Sequence, residues 1–249
     1  SPTDKRSNEV ITMSMPDTRP ARAAILGALR AGAPPRSLPP PDLQPYLAGP
    51  HGRGSQGPRV DPAPLVQPFE TAARNWRAEI VRAGAGDWPQ ALREALDRHH
   101  CTRVAIGAAS PLQPELDAAL AGLKVRRFEQ ALEHWKGELF DAVDAGVTVA
   151  AGGIAETGTL VLRTGAAEPR TLSLVPTVHV AVLRVSRLYA SLPAALQALA
   201  PPQDLPSNLL LVSGPSKTAD IQQVLAYGAH GPKELVIVLV NDLDEGAPR

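Results

Sequence analysis

The chain has 249 residues and a mass of 26.2 kDa, enough to bury a sizeable core as one domain. Lysine plus arginine and aspartate plus glutamate number 25 each, so the net charge is zero and no overall field attracts nucleic acid or an anionic membrane. The single cysteine, Cys101, excludes an internal disulfide and also excludes a set of four thiolates that would hold an iron–sulfur cluster within this chain.

The N-terminal part is poor in regular structure. Residues 1–20 are polar and predict a disordered tail, and a helix is predicted over Arg22–Ala31. The segment 33–68 holds eleven prolines and predicts a long loop. We expect one α/β domain over 21–249. Because the tail lacks an apolar signal region and no apolar run could span a bilayer, we expect a cytoplasmic protein with no membrane span.

Further along, helical and strand patterns alternate, which favours a mixed, largely parallel open sheet flanked by helices. Helices are predicted over Glu70–Ala83, Pro89–Arg98, Leu112–Ala121, Lys136–Val143, Leu192–Leu199 and Thr218–Leu225. Strands are predicted over Thr102–Ile106, Lys124–Phe128, Val147–Ala150, Gly158–Leu162, Thr171–Leu174, Val178–Val185, Leu209–Val212 and Leu235–Val240. Several of the later strands follow one another without a helix, so part of the sheet should be antiparallel or mixed.

The first candidate site segment is GGIAETGT, residues 152–159. Its glycines, Gly153 among them, permit a tight turn, and Thr157 supplies a hydroxyl beside the lone carboxylate of Glu156. Such a carboxylate can act as a general base, a nucleophile or a hydrogen-bond acceptor, which makes Glu156 a candidate catalytic residue. The alternative is a structural carboxylate that accepts turn amides or pairs with Arg163.

The second candidate segment is SGPSKTADI, residues 213–221, which follows a predicted strand and opens a predicted helix. Its amides, hydroxyls and one lysine would stabilise a small carboxylate or phosphate, and the candidate ligand-binding residues are Ser213, Gly214, Ser216, Lys217 and Asp220. The segment lacks the spacing of a phosphate-binding P-loop, so ATP hydrolysis is not indicated. Asp220 has the alternative role of complementing the helix dipole.

Two histidines and the cysteine require a choice between roles. His230, in the loop GAHGP, is a candidate general acid or base, and the alternative is an electrostatic role at a helix end. His179, in the strand after Pro176, is expected to be half-exposed, and Cys101 to be a small residue entering a strand. The six histidines show no local metal-ligand spacing, so no metal site is predicted.

The segments 152–164 and 213–232, with TLSLVPTVHVAVL at 171–183 between them, resemble the lactate utilization protein C family, also called LutC/YkgG or the LUD domain. The resemblance covers about residues 146 to 241. It implies a fold similar to the NagB/RpiA/CoA-transferase group and a part in oxidising L-lactate to pyruvate beside iron–sulfur partner proteins. A glutamate nucleophile is used by CoA-transferases, but a shared fold does not assign that role to Glu156.

The leading hypothesis is therefore an accessory protein or subunit of an L-lactate-oxidising system, with a pocket for a small anion. No cofactor is expected on this chain alone, and iron–sulfur clusters are expected on its partners. The alternatives are a stand-alone enzyme acting on a phosphorylated, thioester or folate-like substrate, and a non-catalytic scaffold module. The two candidate segments are expected to meet at the carboxyl ends of the sheet strands.

Overall fold

The computed structural model describes residues 18–32, 61–129, 137, 139, 142–199, 208–219, 225–227 and 230–243. The helices are α1 Arg19–Ala31, α2 Val66–Asn75, α3 Trp88–Arg98, α4 Gln113–Ala119, α5 Thr171–Leu174 and α6 Leu192–Leu199. The strands are β1 Glu79–Gly84, β2 Arg103–Ile106, β3 Lys124–Arg127, β4 Ala145–Val149, β5 Gly152–Ile154, β6 Thr159–Thr164, β7 Val178–Arg184, β8 Leu188–Tyr189, β9 Asn208–Val212, β10 Lys217–Ala219, β11 Leu225–Tyr227 and β12 Glu234–Asn241.

The chain divides into two units, Ser1–Gln44 and Pro45–Arg249. The first unit contains α1, which begins with Pro20 in its first turn, where a missing backbone N–H costs nothing. Ile25 and Leu29 of α1 are exposed. All other helices and strands belong to the second unit, so the candidate site segments lie within it.

A six-stranded sheet in the order β1-β12-β7-β4-β2-β3 forms the centre of the second unit. Every neighbouring pair in it is parallel. The strands β7 and β12 consist largely of apolar residues, as expected for strands that are covered on both faces. This architecture confirms the expected α/β class with a largely parallel sheet.

Alternate residues of the inner strands enter two separate cores. On one face, Val180 and Val238 pack with Leu92 and Leu96 of α3. On the other face, Leu183 and Ile237 pack with Phe69 of α2 and with side chains of β6. The second face therefore positions α2 and the segment around β6, where the candidate residues lie.

The antiparallel pairs expected within the main sheet instead form a second sheet, in the order β8-β5-β6-β9. In it β6 is antiparallel to both β5 and β9, while β5 and β8 are parallel. Leu160 and Leu162 of β6 pack into the core on the second face of the main sheet. The two sheets are thus joined through apolar side chains.

Three predicted elements are wrong. The helix predicted over Glu70–Ala83 ends at Asn75 and is followed by β1. The helical spacing of Trp76 and Ile80 misled the prediction, because Trp76 is 51% exposed and Ile80 is buried in a strand. Arg77 has φ of 66°, which stops the helix between them.

The segment Thr171–Leu174 is the short helix α5 rather than a strand. A Cβ at Gly146 would lie 2.0 Å from the carbonyl oxygen of Leu172, so α5 crosses directly over the bare backbone of β4. This close crossing places Leu172 in a small core with Phe128.

The helix predicted over Thr218–Leu225 is also wrong at both of its ends. Thr218 pairs with Ala226 and Ala219 with Leu225 in the antiparallel pair β10–β11. Threonine and tyrosine in this segment favour strands, and cross-strand pairing prevailed over the helical spacing. Asp220 lies outside the described residues, as do residues 1–17, most of the proline-rich segment 33–68 and most of the predicted helix Lys136–Val143.

Candidate functional site

The two candidate segments meet on the C-terminal end of α2. Gly158, in the turn between β5 and β6, has φ of 64°, and a Cβ there would lie 2.2 Å from the backbone nitrogen of Ala73. Gly214, after β9, has φ of 80°, and a Cβ there would lie 2.3 Å from the carbonyl oxygen of Trp76. Only glycine combines this backbone with so close an approach.

A chain of hydroxyl groups joins the two segments. The Oγ1 atoms of Thr157 and Thr159 are 2.7 Å apart, and Thr159 Oγ1 is 2.7 Å from Ser213 Oγ. Each hydroxyl can donate one hydrogen bond and accept others, so the three groups can orient together toward a ligand. The sequence-predicted residues Thr157 and Ser213 are therefore neighbours in space.

Two other predicted residues of the first segment lie apart from this chain of hydroxyls. The side chain of Glu156 is exposed, while its backbone N–H donates to the carbonyl oxygen of Ala190 at 3.2 Å. Gly153 is buried within β5, where a Cβ would lie 2.7 Å from a methyl group of Leu183. The absence of a side chain at Gly153 thus permits close packing in the core.

A cleft of about 220 Å³, which we name the His179 cleft, lies beside the second segment. Its lining residues include Ser173, His179, Ser213, Gly214, Ser216, His230 and Leu235. His179 and Leu235 are the second residues of β7 and β12, so the cleft lies at the amino ends of these parallel strands. The expectation that it would lie at their carboxyl ends is wrong: β9 belongs to the second sheet, and the loop that follows β9 lies beside the amino ends of β7 and β12.

A second cleft of about 480 Å³, the Lys217 cleft, is lined by Asn75, Trp76, Arg77, Ser213, Pro215 and Lys217. Ser213 and Pro215 line both clefts, so the loop at 213–215 separates them. The sequence-predicted residues divide accordingly. Ser216 and His230 line the His179 cleft, and Lys217 lines the other.

His179 is buried, with 1% of its surface exposed, which corrects the expectation of a half-exposed strand residue. Its Nε2 lies 2.8 Å from Oγ1 of Thr148 on β4. Burial lowers the pKa of the imidazole to about 4, because a charged ring would lose its hydration. The ring is therefore neutral at physiological pH.

Glu168, in the loop after β6, is a titratable group that the sequence analysis missed. Its Cβ and Cγ lie 3.5 Å from where a Cβ of Gly107 would be, at the carboxyl end of β2. Burial raises the pKa of its carboxyl to about 7, although a hydrogen bond from the backbone N–H of Val149 acts in the opposite direction. A lone glutamate in the apolar loop GAAEP was the available signal.

Cys101 is buried, and burial with a smaller effect of Asp144 raises the pKa of its thiol to about 11. This environment suits an inert packing residue rather than a nucleophile. In the described ranges no group of three histidine, cysteine, aspartate or glutamate side chains could hold a metal ion. Within the same ranges, every helix is too short or too polar to cross a bilayer.

Comparison with known proteins identifies relatives over most of the chain. The family model of the LUD domain matches residues 67–240. An uncharacterized protein of Neisseria meningitidis serogroup B is 40% identical over 189 residues, which are 72% of this chain and 81% of that protein. Lactate utilization protein C of Deinococcus radiodurans is 30% identical over 231 residues, 91% of this chain and 99% of the relative.

One solved structure is similar in fold. It is the crystal structure of a DUF162 family protein from Deinococcus radiodurans, with a TM-score of 0.57 and 29% sequence identity. The match covers 73% of this chain and 99% of that chain.

Proposed function

Since the chain belongs to the LUD domain family, we propose that it takes part in lactate utilization, as an accessory protein or subunit of an L-lactate-oxidising system. The observation that carries the proposal is the match to lactate utilization protein C of Deinococcus radiodurans across nearly the full length of both chains. The family resemblance recognised in the sequence segments at 152–164, 171–183 and 213–232 is confirmed by this match and by the family model.

Of the two clefts, the Lys217 cleft is the better suited to a small carboxylate. Lys217 is exposed and contributes a positive charge, and Arg77 adds a second from the same lining. The amide of Asn75 and the hydroxyl of Ser213 supply neutral hydrogen-bonding groups. Lactate combines one carboxylate with one hydroxyl, so a cleft that offers both charge and neutral hydrogen bonds fits that class of ligand.

Redox balance is compatible with the proposed accessory role. Oxidation of L-lactate to pyruvate releases two electrons and two protons, and an acceptor must take the electrons. Cys101 is the chain's single cysteine, whereas an iron–sulfur cluster takes about four ligands, usually thiolates. The family resemblance implies iron–sulfur partner proteins as the electron acceptor, and ligand binding is the part that we propose for this chain.

Reconstitution with candidate iron–sulfur partner proteins tests the proposal. We expect lactate-dependent bleaching of the cluster absorption in the complete mixture, and none when this chain is omitted. Lys217→Ala should weaken lactate binding, measured by calorimetry, by about tenfold, the effect of losing roughly one charge-assisted hydrogen bond. Lys124→Ala, at an exposed lysine on β3 at the far edge of the sheet, is the matched control.

Two results would contradict the proposal. Equal bleaching with and without this chain would remove its part in the oxidation. Turnover of a phosphorylated, thioester or folate-like substrate by the isolated chain would identify a stand-alone enzyme instead.

A further inference from the structure

The buried ring of His179 has one nitrogen that the fold leaves unsatisfied. Nε2 faces Thr148, whereas Nδ1 is buried and has no hydrogen-bond partner in the part of the chain that the structure describes. Leaving a buried polar atom unpaired destabilises the folded protein, because the atom has lost its hydration without gaining a partner. Native proteins rarely accept that cost without a ligand or an ordered water at the position.

The surroundings explain where such a partner would be. On β7, His179 lies between Gly146 of β4 and Leu235 of β12. Gly146 has no side chain to reach the ring, and Leu235 offers only carbon. His179 lines the cleft and its Nε2 is engaged by Thr148, so Nδ1 is the ring nitrogen beside the cleft that is left without a described partner.

The chemistry of the lining indicates the class of molecule. Besides the imidazoles of His179 and His230, the described lining residues offer hydroxyl groups of three serines and apolar side chains, but no lysine, arginine, aspartate or glutamate. The hydroxyls belong to Ser173, Ser213 and Ser216. The apolar side chains include Leu174, Leu210, Val212 and Leu235. A carboxylate would lose its hydration there without a cation to replace it.

The volume of the His179 cleft limits the size of the molecule that it can bind. The cleft volume of about 220 Å³ equals the share of roughly seven water molecules at about 30 Å³ each. That space accommodates a compact organic molecule or one end of a longer one.

We propose that the His179 cleft binds a small uncharged ligand, and that His179 holds a hydroxyl or carbonyl group of this ligand through Nδ1. A neutral imidazole carries one N–H donor and one acceptor nitrogen. If the Thr148 hydroxyl donates to Nε2, Nδ1–H donates to a ligand carbonyl oxygen. If Nε2–H donates to Thr148, Nδ1 accepts from a ligand hydroxyl. This site adjoins the Lys217 cleft across the loop at 213–215 but does not depend on the lactate proposal.

The direct test is a nuclear magnetic resonance titration of the unmodified protein with ¹⁵N-labelled histidine. The neutral probes are lactamide and hydroxyacetone, and the charged probe is lactate. We expect either neutral probe to shift the ring nitrogen signals of His179 saturably, while those of His99 and His100 stay in place. Lactate should shift the His179 signals at least about tenfold more weakly, because a carboxylate is poorly solvated in this lining. Absence of a saturable His179 shift with both neutral probes would overturn the proposal, as would equal shifts of all histidines.

Variants separate this site from the Lys217 cleft. His179→Phe keeps a ring of similar size and should lower lactamide affinity about tenfold, the effect of losing one hydrogen bond to a buried group. Thr148→Val keeps the shape of the threonine, releases Nε2, and should cause a smaller loss while changing the ¹⁵N shift pattern of the two ring nitrogens. Lys217→Ala should leave lactamide binding unchanged, and His100→Gln is the surface control. If His179→Phe does not fold, the wild-type titration decides by itself.

Discussion

Folding changes the protonation of Glu168 and of His179 in opposite directions. The pKa of Glu168 rises from 4.5 to about 7, so the folded protein holds a proton that the unfolded chain releases between these values. The pKa of His179 falls from 6.5 to about 4, so the folded protein excludes a proton that the unfolded chain accepts. Lowering the pH therefore stabilises the fold through Glu168 and destabilises it through His179.

The two effects are similar in size between pH 8 and pH 5. One pKa unit corresponds to about 1.4 kcal/mol, so protonation of Glu168 adds about 2 kcal/mol to the free energy of unfolding over this range. The contribution of Glu168 is complete below pH 4.5 and is lost as the pH rises through 7. Exclusion of the proton from His179 removes about 2 kcal/mol as the pH falls from 8 to 5. In the wild type these two contributions largely cancel.

Single variants should expose each contribution. We expect Glu168→Gln to gain stability relative to wild type by about 2 kcal/mol more at pH 8 than at pH 5. His179→Phe should show the reverse, with its relative gain about 2 kcal/mol larger at pH 5. Urea unfolding followed by far-ultraviolet circular dichroism at both pH values measures these differences. The control is Glu94→Gln, at an exposed position on α3, which should keep the wild-type pH dependence.

A difference in free energy of unfolding between Glu168→Gln and wild type that stayed constant from pH 5 to pH 8 would contradict the raised pKa of the Glu168 carboxyl. A constant difference would mean that the carboxyl of Glu168 is hydrated in the folded protein. The same comparison for His179→Phe tests the burial of the imidazole independently.

Two further outcomes follow from packing. Gly146→Ala should lower the free energy of unfolding by about 3 kcal/mol, since a Cβ there would lie 2.0 Å from the Leu172 carbonyl oxygen. Gly165→Ala, where no atom lies within 4 Å of the new Cβ, should cost little, and equal urea midpoints for the two variants would contradict the crossing of α5 over β4. Cys101, with a thiol pKa of about 11, should react with a thiol reagent at pH 8 about a hundredfold more slowly in the folded protein than in urea. Comparable rates would show that the thiol is exposed.

Much of the fold is readable from local pattern. The strands β7 and β12 are continuous apolar runs, which a strand covered on both faces requires, and both were located within two residues of their observed bounds. Gly158 and Gly214 mark turns because their backbones need positive φ. Thr157 and Ser213 are close together because Gly158 precedes β6, Gly214 follows β9, and these two strands are paired.

The remaining features depend on contacts between distant parts of the chain. A strand pattern at Leu209–Val212 does not reveal which sheet the strand joins, and membership of the second sheet moved the cleft to the amino ends of β7 and β12. The burial of His179 depends on α5 crossing the strand beside it. The raised pKa of Glu168 depends on its burial, and residues distant in sequence, such as Gly107, lie beside it.

The position of β12 in the six-stranded sheet determines when the sheet and its two cores can be completed during synthesis. Glu79 of β1 pairs with Val236, and Val178 of β7 pairs with Glu234, so β12 separates two strands that were both synthesised before it. Until residue 241 has left the ribosome, β1 lacks its one neighbour among the described strands, and β7 lacks its partner on the same side. Val236 and Val238 then complete one core while Ile237 and Leu239 complete the other. Pairing of β12 therefore completes both hydrophobic cores, and in a nascent chain lacking β12 neither core is complete.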